Sequence, residues 1–275
     1  MAGKKIYFLS DAHLGSVSHK KETIGKDSTT MPLPPFSSRK RDELFPEHEV
    51  ERKLCRWLDM AKADAKAIYL LGDIFDYWFE YKNVVPRGFT RFLGKISEIT
   101  DLGIEVHFFI GNHDIWLTDY LEKECGMIIH REPLVKDFNG KKFFLAHGDG
   151  LGDKSKSFKI LRKLFHSKFC RNLFATIHPR WAVSIAHKWS GHSRETGGIA
   201  EYLGEDKEYL VLFAKEHLKI APNINYFVFG HRHIMLDLKI TPDSRIIILG
   251  DWISYFSYAV FDGENMRLEI FEDIQ

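Results

Sequence analysis

Five short, largely apolar runs punctuate the chain, at residues 6–9, 68–71, 106–110, 143–146 and 226–229. Each is short, lacks polar alternation and ends at a Gly-, Asp- or His-containing block, as expected of strands buried on both faces. Between them the apolar spacing changes to that of helices. Val50, Leu54, Trp57, Leu58 and Ala61 mark one, and Phe89, Phe92, Leu93, Ile96 and Ile99 a second that stops before Gly103. Leu117, Tyr120 and Leu121 predict a short third that ends near Gly126. Strand, helix, strand predicts right-handed crossovers and a largely parallel sheet, hence an α/β fold. Residues 245–249, 258–261 and 267–271, with the turn-like Asp262-Gly263, predict antiparallel strands at the end. The apolar runs are taken to build one domain over residues 1–275, because the polar blocks that follow them must meet.

Those blocks are Asp11-Ala12-His13, Gly72-Asp73, Gly111-Asn112-His113-Asp114, His147-Gly148-Asp149 and Gly230-His231-Arg232-His233. Residues just past strand carboxyl ends share one edge of an open α/β sheet and can converge on one cleft. Asp11 and His13, like His231 and His233, are two apart and can clasp one ion. Asp73 offers two oxygens and can bridge ions about 3.5–4 Å apart. Asn112 adds an amide oxygen and His147 an imidazole. Carboxylate, imidazole and amide without thiolate form a donor set for two divalent cations. Taken singly, a histidine at a strand end is more often a hydrogen-bonded turn residue; five such blocks in order are another matter.

A hydrophobic share of 44% and a charged share of 28% are ordinary for a globular chain. Cys55, Cys125 and Cys170 are too few and scattered for a disulfide framework or structural zinc, which fits a reducing compartment. The first strand follows Met1 within a few residues, leaving no room for a signal peptide, and no 18-residue apolar run occurs. The expected location is the cytoplasm. Residues 16–46, rich in Ser, Thr, Lys and Pro, predict a long flexible loop. The net charge of +1 conceals an asymmetry: residues 154–194 hold ten lysines and arginines and no acid, which leaves the rest at −9. Aromatic and aliphatic residues interleave with them. Such a stretch packs as a helical cap with solvated lysines, or meets an anionic and partly apolar partner, a bilayer surface or a nucleic acid. The complete lack of acids favours the partner, and the cap is placed at about 154–219, including a helix near 201–217.

The five blocks together resemble the calcineurin-like metallophosphoesterase family, whose DxH, GD, GNH[DE], H-type and GHxH pattern is met at every position. The resemblance implies a four-layer α+β sandwich of two sheets flanked by helices. It implies Asp11, His13 and His233 on one metal, Asn112, His147 and His231 on the other, and Asp73 between them. Manganese is the expected metal, with iron, cobalt or zinc also compatible. Two such ions activate a water at neutral pH for in-line attack on phosphorus. His113 then lies over the leaving group as general acid or stabilising cation, or else supports the site, and Asp76 orients it.

The strings at 67–78, Gly126-Met127, His147-Gly148-Asp149 and Leu249-Gly250-Asp251-Trp252 are similar to the UDP-2,3-diacylglucosamine diphosphatases of lipid A biosynthesis. That similarity implies cleavage of a pyrophosphate to UMP and 2,3-diacylglucosamine 1-phosphate, with the insert covering the acyl chains. It implies substrate contacts from Asn112, His113, Asp153, Arg194 and His231. Better-known members carry Arg in place of His113. The expected partners are a UDP-linked glycolipid and an anionic membrane surface met peripherally, on the cytoplasmic face of the inner membrane, and no nucleic acid. A broader phosphodiesterase or phosphatase, a nuclease, or a scaffold that kept the fold without activity are the competing readings. Nothing in the pattern sets an oligomeric state.

Overall fold

The computed structural model describes residues 4–16, 48–152, 167–179, 181 and 201–272. The predicted 16–46 loop beyond Ser16 and most of the basic stretch lie outside these residues.

Two mixed sheets form the centre. The first has the order β11 (Met266–Ile270), β10 (Ser257–Phe261), β1 (Lys5–Leu9), β2 (Ala65–Leu70), β3 (Glu105–Phe109) and β4 (Ile128–His130). Strands β1 to β4 run parallel, and β10 and β11 are antiparallel. Its crossovers are α1 (Glu49–Ala61), α2 (Thr90–Asp101) and α3 (Tyr120–Cys125). The second sheet has the order β5 (Leu134–Phe138), β6 (Lys141–Leu145), β7 (Tyr226–Phe229), β9 (Ser244–Leu249) and β8 (Met235–Thr241). Here β6, β7 and β9 are parallel and the two edge strands antiparallel.

Three apolar layers separate four structural ones. Leu54, Trp57 and Leu58 of α1 pack with Phe92, Ile96 and Ile99 of α2 on the outer face of the first sheet. Between the sheets Phe8 stacks on Tyr69 and Phe143 with ring centres 5.4 and 5.9 Å apart, and Phe261 joins them. Leu210, Val211 and Ala214 of the helix Tyr209–Ile220 cover Phe144, Phe227 and Ile248 on the far side. Full burial of one such aromatic stabilises by about 1.5–3 kcal/mol, and its ring geometry adds specificity. The α2 start lacks a cap of its own, since Phe89 has a φ of 61°. Buried Glu51 of α1 replaces it, accepting the backbone N–H groups of Arg91 and Phe92 at 3.0 and 3.2 Å. This locks two crossovers together under the sheet that carries Asp11 and Asp73.

Three features differ from the sequence reading. The run at 245–249 does not share a sheet with the last two strands: β9 lies inside the second sheet, antiparallel to β8 but parallel to β7, which explains the continuous burial of 246–249. Strands β4, β5 and β8 were not expected; they are short or lie at edges with half-exposed patterns. The helix placed near 201–217 spans Tyr209–Ile220. Of the basic stretch, α4 (Lys168–Ala175) is described, and α5 is the Tyr209–Ile220 helix. Phe174 of α4 docks on Phe79 and Trp116 with ring centres 5.0 and 4.5 Å away.

Candidate metal centre

The parallel pairing of β1 with β2 continues beyond both strands. Asp11 and His13 donate their N–H groups to the carbonyls of Gly72 and Asp73 at 3.1 and 3.0 Å, which sets the two blocks side by side. Across the sandwich, Gly230 donates to the His147 carbonyl at 2.9 Å. Carboxylates tie the blocks further: His231 N–H donates to Asp11 Oδ2 and so joins the two sheets, while His113 N–H donates to Asp73 Oδ1 and joins the ends of β3 and β2, each at 2.8 Å. Each aspartate therefore has one oxygen committed to a backbone donor. The other faces histidines. Asp11 Oδ1 lies 3.4 Å from His233 Nε2 and 3.8 Å from His13 Nε2. Asp73 Oδ2 lies 3.3 Å from His147 Nε2 and 4.0 Å from His13 Nε2, between the two groups.

This convergence bends the backbone. Asp11, His13, Asp73, His231 and His233 all have φ between 43° and 67°, a region that side chains other than glycine seldom enter. Close approach does the rest: a Cβ on Gly230 would lie 2.5 Å from Asp11 Oδ2, and one on Gly111 would run into Asp73.

Among the described residues, ligand-capable atoms gather within 4.8 Å of one another in three groups: Asp11, His13 and His233; Asp73, His147 and His231; and His13, Asp76 and His113. Asn112 Oδ1 is 3.2 Å from His147 Nε2 and joins the second. The donor set fits divalent cations. Asp11 Oδ1 is buried without a hydrogen-bond partner among the described residues, and His13 and His233 face each other through Nε2 atoms 3.3 Å apart, an arrangement that a shared cation satisfies. The ring of His147 is aimed by its Nδ1–H, which donates to the Leu71 carbonyl at 2.8 Å and turns Nε2 inward.

Charge interactions are strong at this depth. Burial opposes ionisation of Asp73, yet the neighbouring His147 and His113 hold its carboxyl well below the usual range. His147 is correspondingly pushed well above its ordinary value, against burial, by Asp73. Burial and the nearby His147 push His231 down to about 3, leaving a neutral ring able to coordinate. Burial and the charge of Asp73 raise Asp114 to about 7, although it accepts the N–H groups of Gly111 and Ile74 at 2.6 and 3.1 Å.

All seven expected ligands thus meet at one place. Asp76 and His113 adjoin them, but Asp76 holds His113 through its backbone carbonyl, 2.9 Å from Nδ1, while its carboxylate lies nearer His13 Nδ1, at 3.5 Å, than His113 Nδ1, at 3.8 Å. Asp153 and Arg194 lie outside the described residues. Two contributors were missed: Asp114, which ties the Gly111 and Ile74 turns, and Asp251, whose Oδ2 is 3.2 Å from His233 Nδ1. Gly250-Asp251 follows an apolar run just as Gly72-Asp73 does, so the signal was available.

The calcineurin-like phosphoesterase family model matches residues 4–235, which take in every block. The chain belongs to this family. Members of it are phosphoesterases, and its implied divalent ions agree with the His and Asp clusters. Among curated relatives, the UDP-2,3-diacylglucosamine hydrolase of Porphyromonas gingivalis is 44% identical over 284 residues, covering 98% of this chain and 99% of that protein. The protein of the same name from Shewanella baltica is 27% identical, covering 80% and 90%. Among solved structures, the phosphoesterase Yfce of E. coli aligns at 13% identity and a TM-score of 0.42, covering 95% of this chain and 90% of that one. Among the described residues of this calcineurin-like phosphoesterase, no helix is long and apolar enough to cross a membrane.

Proposed function

We propose that the chain hydrolyses the pyrophosphate of UDP-2,3-diacylglucosamine, giving UMP and 2,3-diacylglucosamine 1-phosphate. The observation that carries this reading is the end-to-end 44% identity with the P. gingivalis hydrolase, joined to the clustering of Asp11, His13 and His233 and of Asp73, His147 and His231. Water adds across the anhydride: one P–O bond forms, the bridging P–O bond breaks, and the released proton passes to the cleft or to solvent.

In this reading Asp11, His13 and His233 would hold one divalent ion and Asn112, His147 and His231 another, with Asp73 a ligand shared by both groups; manganese is the proposed metal. When bound, the ions supply an activated water and neutralise charge developing on phosphorus. His113 donates from Nδ1 to the Asp76 carbonyl, so Nε2 is the atom that meets the leaving oxygen and gives it a proton or a positive charge. Asp76 is the positioning group for that ring. Asn112, His113 and His231, with Asp153 and Arg194 from the sequence, are the proposed substrate contacts. The insert takes the acyl chains and an anionic leaflet, on the cytoplasmic face of the membrane. Phe169, Leu173 and Trp181 are 74%, 60% and 66% exposed among its many cations, which supports that role.

The test is turnover by metal-free protein reloaded with Mn²⁺, following UMP release from UDP-2,3-diacylglucosamine beside cleavage of bis(4-nitrophenyl) phosphate and DNA. UMP release exceeding diester cleavage is expected. Diester cleavage without UMP release would replace the reading by a broader phosphodiesterase, and salt-sensitive DNA cleavage by a nuclease.

A further inference from the structure

Asp251 stands at the end of β9, 5% exposed, in the connection to β10. Its two oxygens have separate tasks. Oδ1 accepts three consecutive backbone N–H groups, from Ile253 at 3.0 Å, Ser254 at 2.6 Å and Tyr255 at 3.2 Å. Oδ2 is thereby held rigidly, 3.2 Å from His233 Nδ1. The ring's other nitrogen, Nε2, faces Asp11 Oδ1 at 3.4 Å and His13 Nε2 at 3.3 Å. The adjacent residue anchors the same connection. Trp252 donates its backbone N–H to the Asp11 carbonyl at 3.0 Å, and its buried indole packs on Trp57 and Phe271 while donating Nε1–H to the Ser257 carbonyl at 2.7 Å. One short segment so supports two members of the Asp11–His13–His233 group.

We infer that Asp251 is a positioning residue for His233: its carboxylate fixes the proton on Nδ1 and leaves the Nε2 lone pair directed into the cleft. The inference deepens the proposed function and rests on its metal assignment. A histidine ligand backed by a carboxylate is oriented and made more basic, and loss of such a partner weakens metal binding about 10- to 100-fold. The comparison within the site is direct, because His147 is backed by the neutral Leu71 carbonyl.

Two substitutions separate this role from a purely structural one. In Asp251→Asn the amide oxygen stays with the three backbone donors, so the NH₂ group turns to His233 Nδ1. Two donors cannot face each other; the ring must then accept at Nδ1 and carry its proton on Nε2, where the lone pair was needed. Asp251→Ala abandons the three backbone donors but lets water accept from Nδ1–H. Metal-free Asp251→Ala therefore melts lower than Asp251→Asn, whereas Mn²⁺ binding, titrated by electron paramagnetic resonance of the free ion, is weakened more in Asp251→Asn, by about 10- to 100-fold at one of two sites. Long-range ¹H–¹⁵N spectra of metal-free protein at alkaline pH should show His233 protonated on Nδ1 in the parent and on Nε2 in Asp251→Asn. Parent-like Mn²⁺ affinity in Asp251→Asn, an unchanged tautomer, or the same rank order for melting and binding would overturn the inference. A parent that binds no Mn²⁺ would instead refute the metal assignment, while the tautomer spectra still decide what Asp251 does.

Discussion

Arg232, between the two histidines of the last block, makes a sharp test of how that block is held. Its guanidinium forks onto Glu208, Nε to Oε1 at 2.8 Å and Nη2 to Oε2 at 3.1 Å, and Nη2 also donates to the Glu201 carbonyl at 3.1 Å. The side chain of Glu208 is wholly buried and that of Arg232 only 20% exposed. Arg232→Ala leaves a carboxylate in the interior without its partner. Breaking a buried pair from one side costs about 3–5 kcal/mol. The lower end applies, since part of Arg232 reaches water, and about 3 kcal/mol corresponds to a melting shift of roughly 6–12 °C for a chain of this size. Replacing both partners, Arg232→Met with Glu208→Leu, removes the stranded charge and should recover most of that loss. The assay is thermal unfolding of the metal-free parent, Arg232→Ala, and the cycle of Arg232→Met, Glu208→Leu and their pair. Arg232→Ala within about 2 °C of the parent, or a double variant no better than the sum of the singles, would refute the reasoning.

Burial, outweighing the hydrogen bond to Glu105, lowers His107 to about 4. Its folded value lies below the unfolded 6.5, so as pH falls through that window the unfolded chain gains a proton that the folded one refuses. Stability is lost toward acid by about 3 kcal/mol from this group. The acid slope of urea unfolding should flatten in His107→Phe; equal slopes would contradict the assignment. Asp73→Ala should abolish phosphoester turnover and reduce bound Mn²⁺, because both ligand groups lose their shared carboxylate; retained turnover would sink the two-ion reading. Chelation should stop turnover reversibly and lower the melting temperature, since an ion present at a hundred times its dissociation constant stabilises by about 2.7 kcal/mol. An unchanged melting curve on Mn²⁺ addition would argue against binding at these clusters.

The strands that place Asp11, Asp73, Asn112, His147 and His231 were legible because central parallel strands end in apolar, buried runs and stop at chemically distinct blocks. Sheet membership was not. Residues 246–249 look alike whether they lie in a terminal antiparallel sheet or beside β7, and only tertiary packing decides. The edge strand β8 did carry a period-2 signal in Leu236, Leu238 and Ile240, yet its exposed Asp237 and Lys239 broke the continuous run that betrays a buried strand. Within the site, residue types and spacing gave the donor set. The use of Asp76 through its carbonyl could not be read from sequence, because a backbone atom leaves no residue-type signature. Asp251 could have been, since it repeats the strand-end Gly-Asp form, but its partner His233 becomes evident only when the β9–β10 connection folds over Asp11.

The left-handed backbone at five of the seven proposed ligand positions sets the needs of chemistry against those of heat resistance. Each such residue carries roughly 1 kcal/mol or more of conformational strain that glycine would not. At Asp11, Asp73 and His233 that relief is outweighed by the loss of a buried partner, since each pairs across the site. A selection that scores only the melting of metal-free protein is therefore drawn toward glycine at His13 and His231, and its most robust survivors would lack two proposed ligands. Thermostability programmes on this scaffold need selection with the ion bound, so that the same substitutions register as losses.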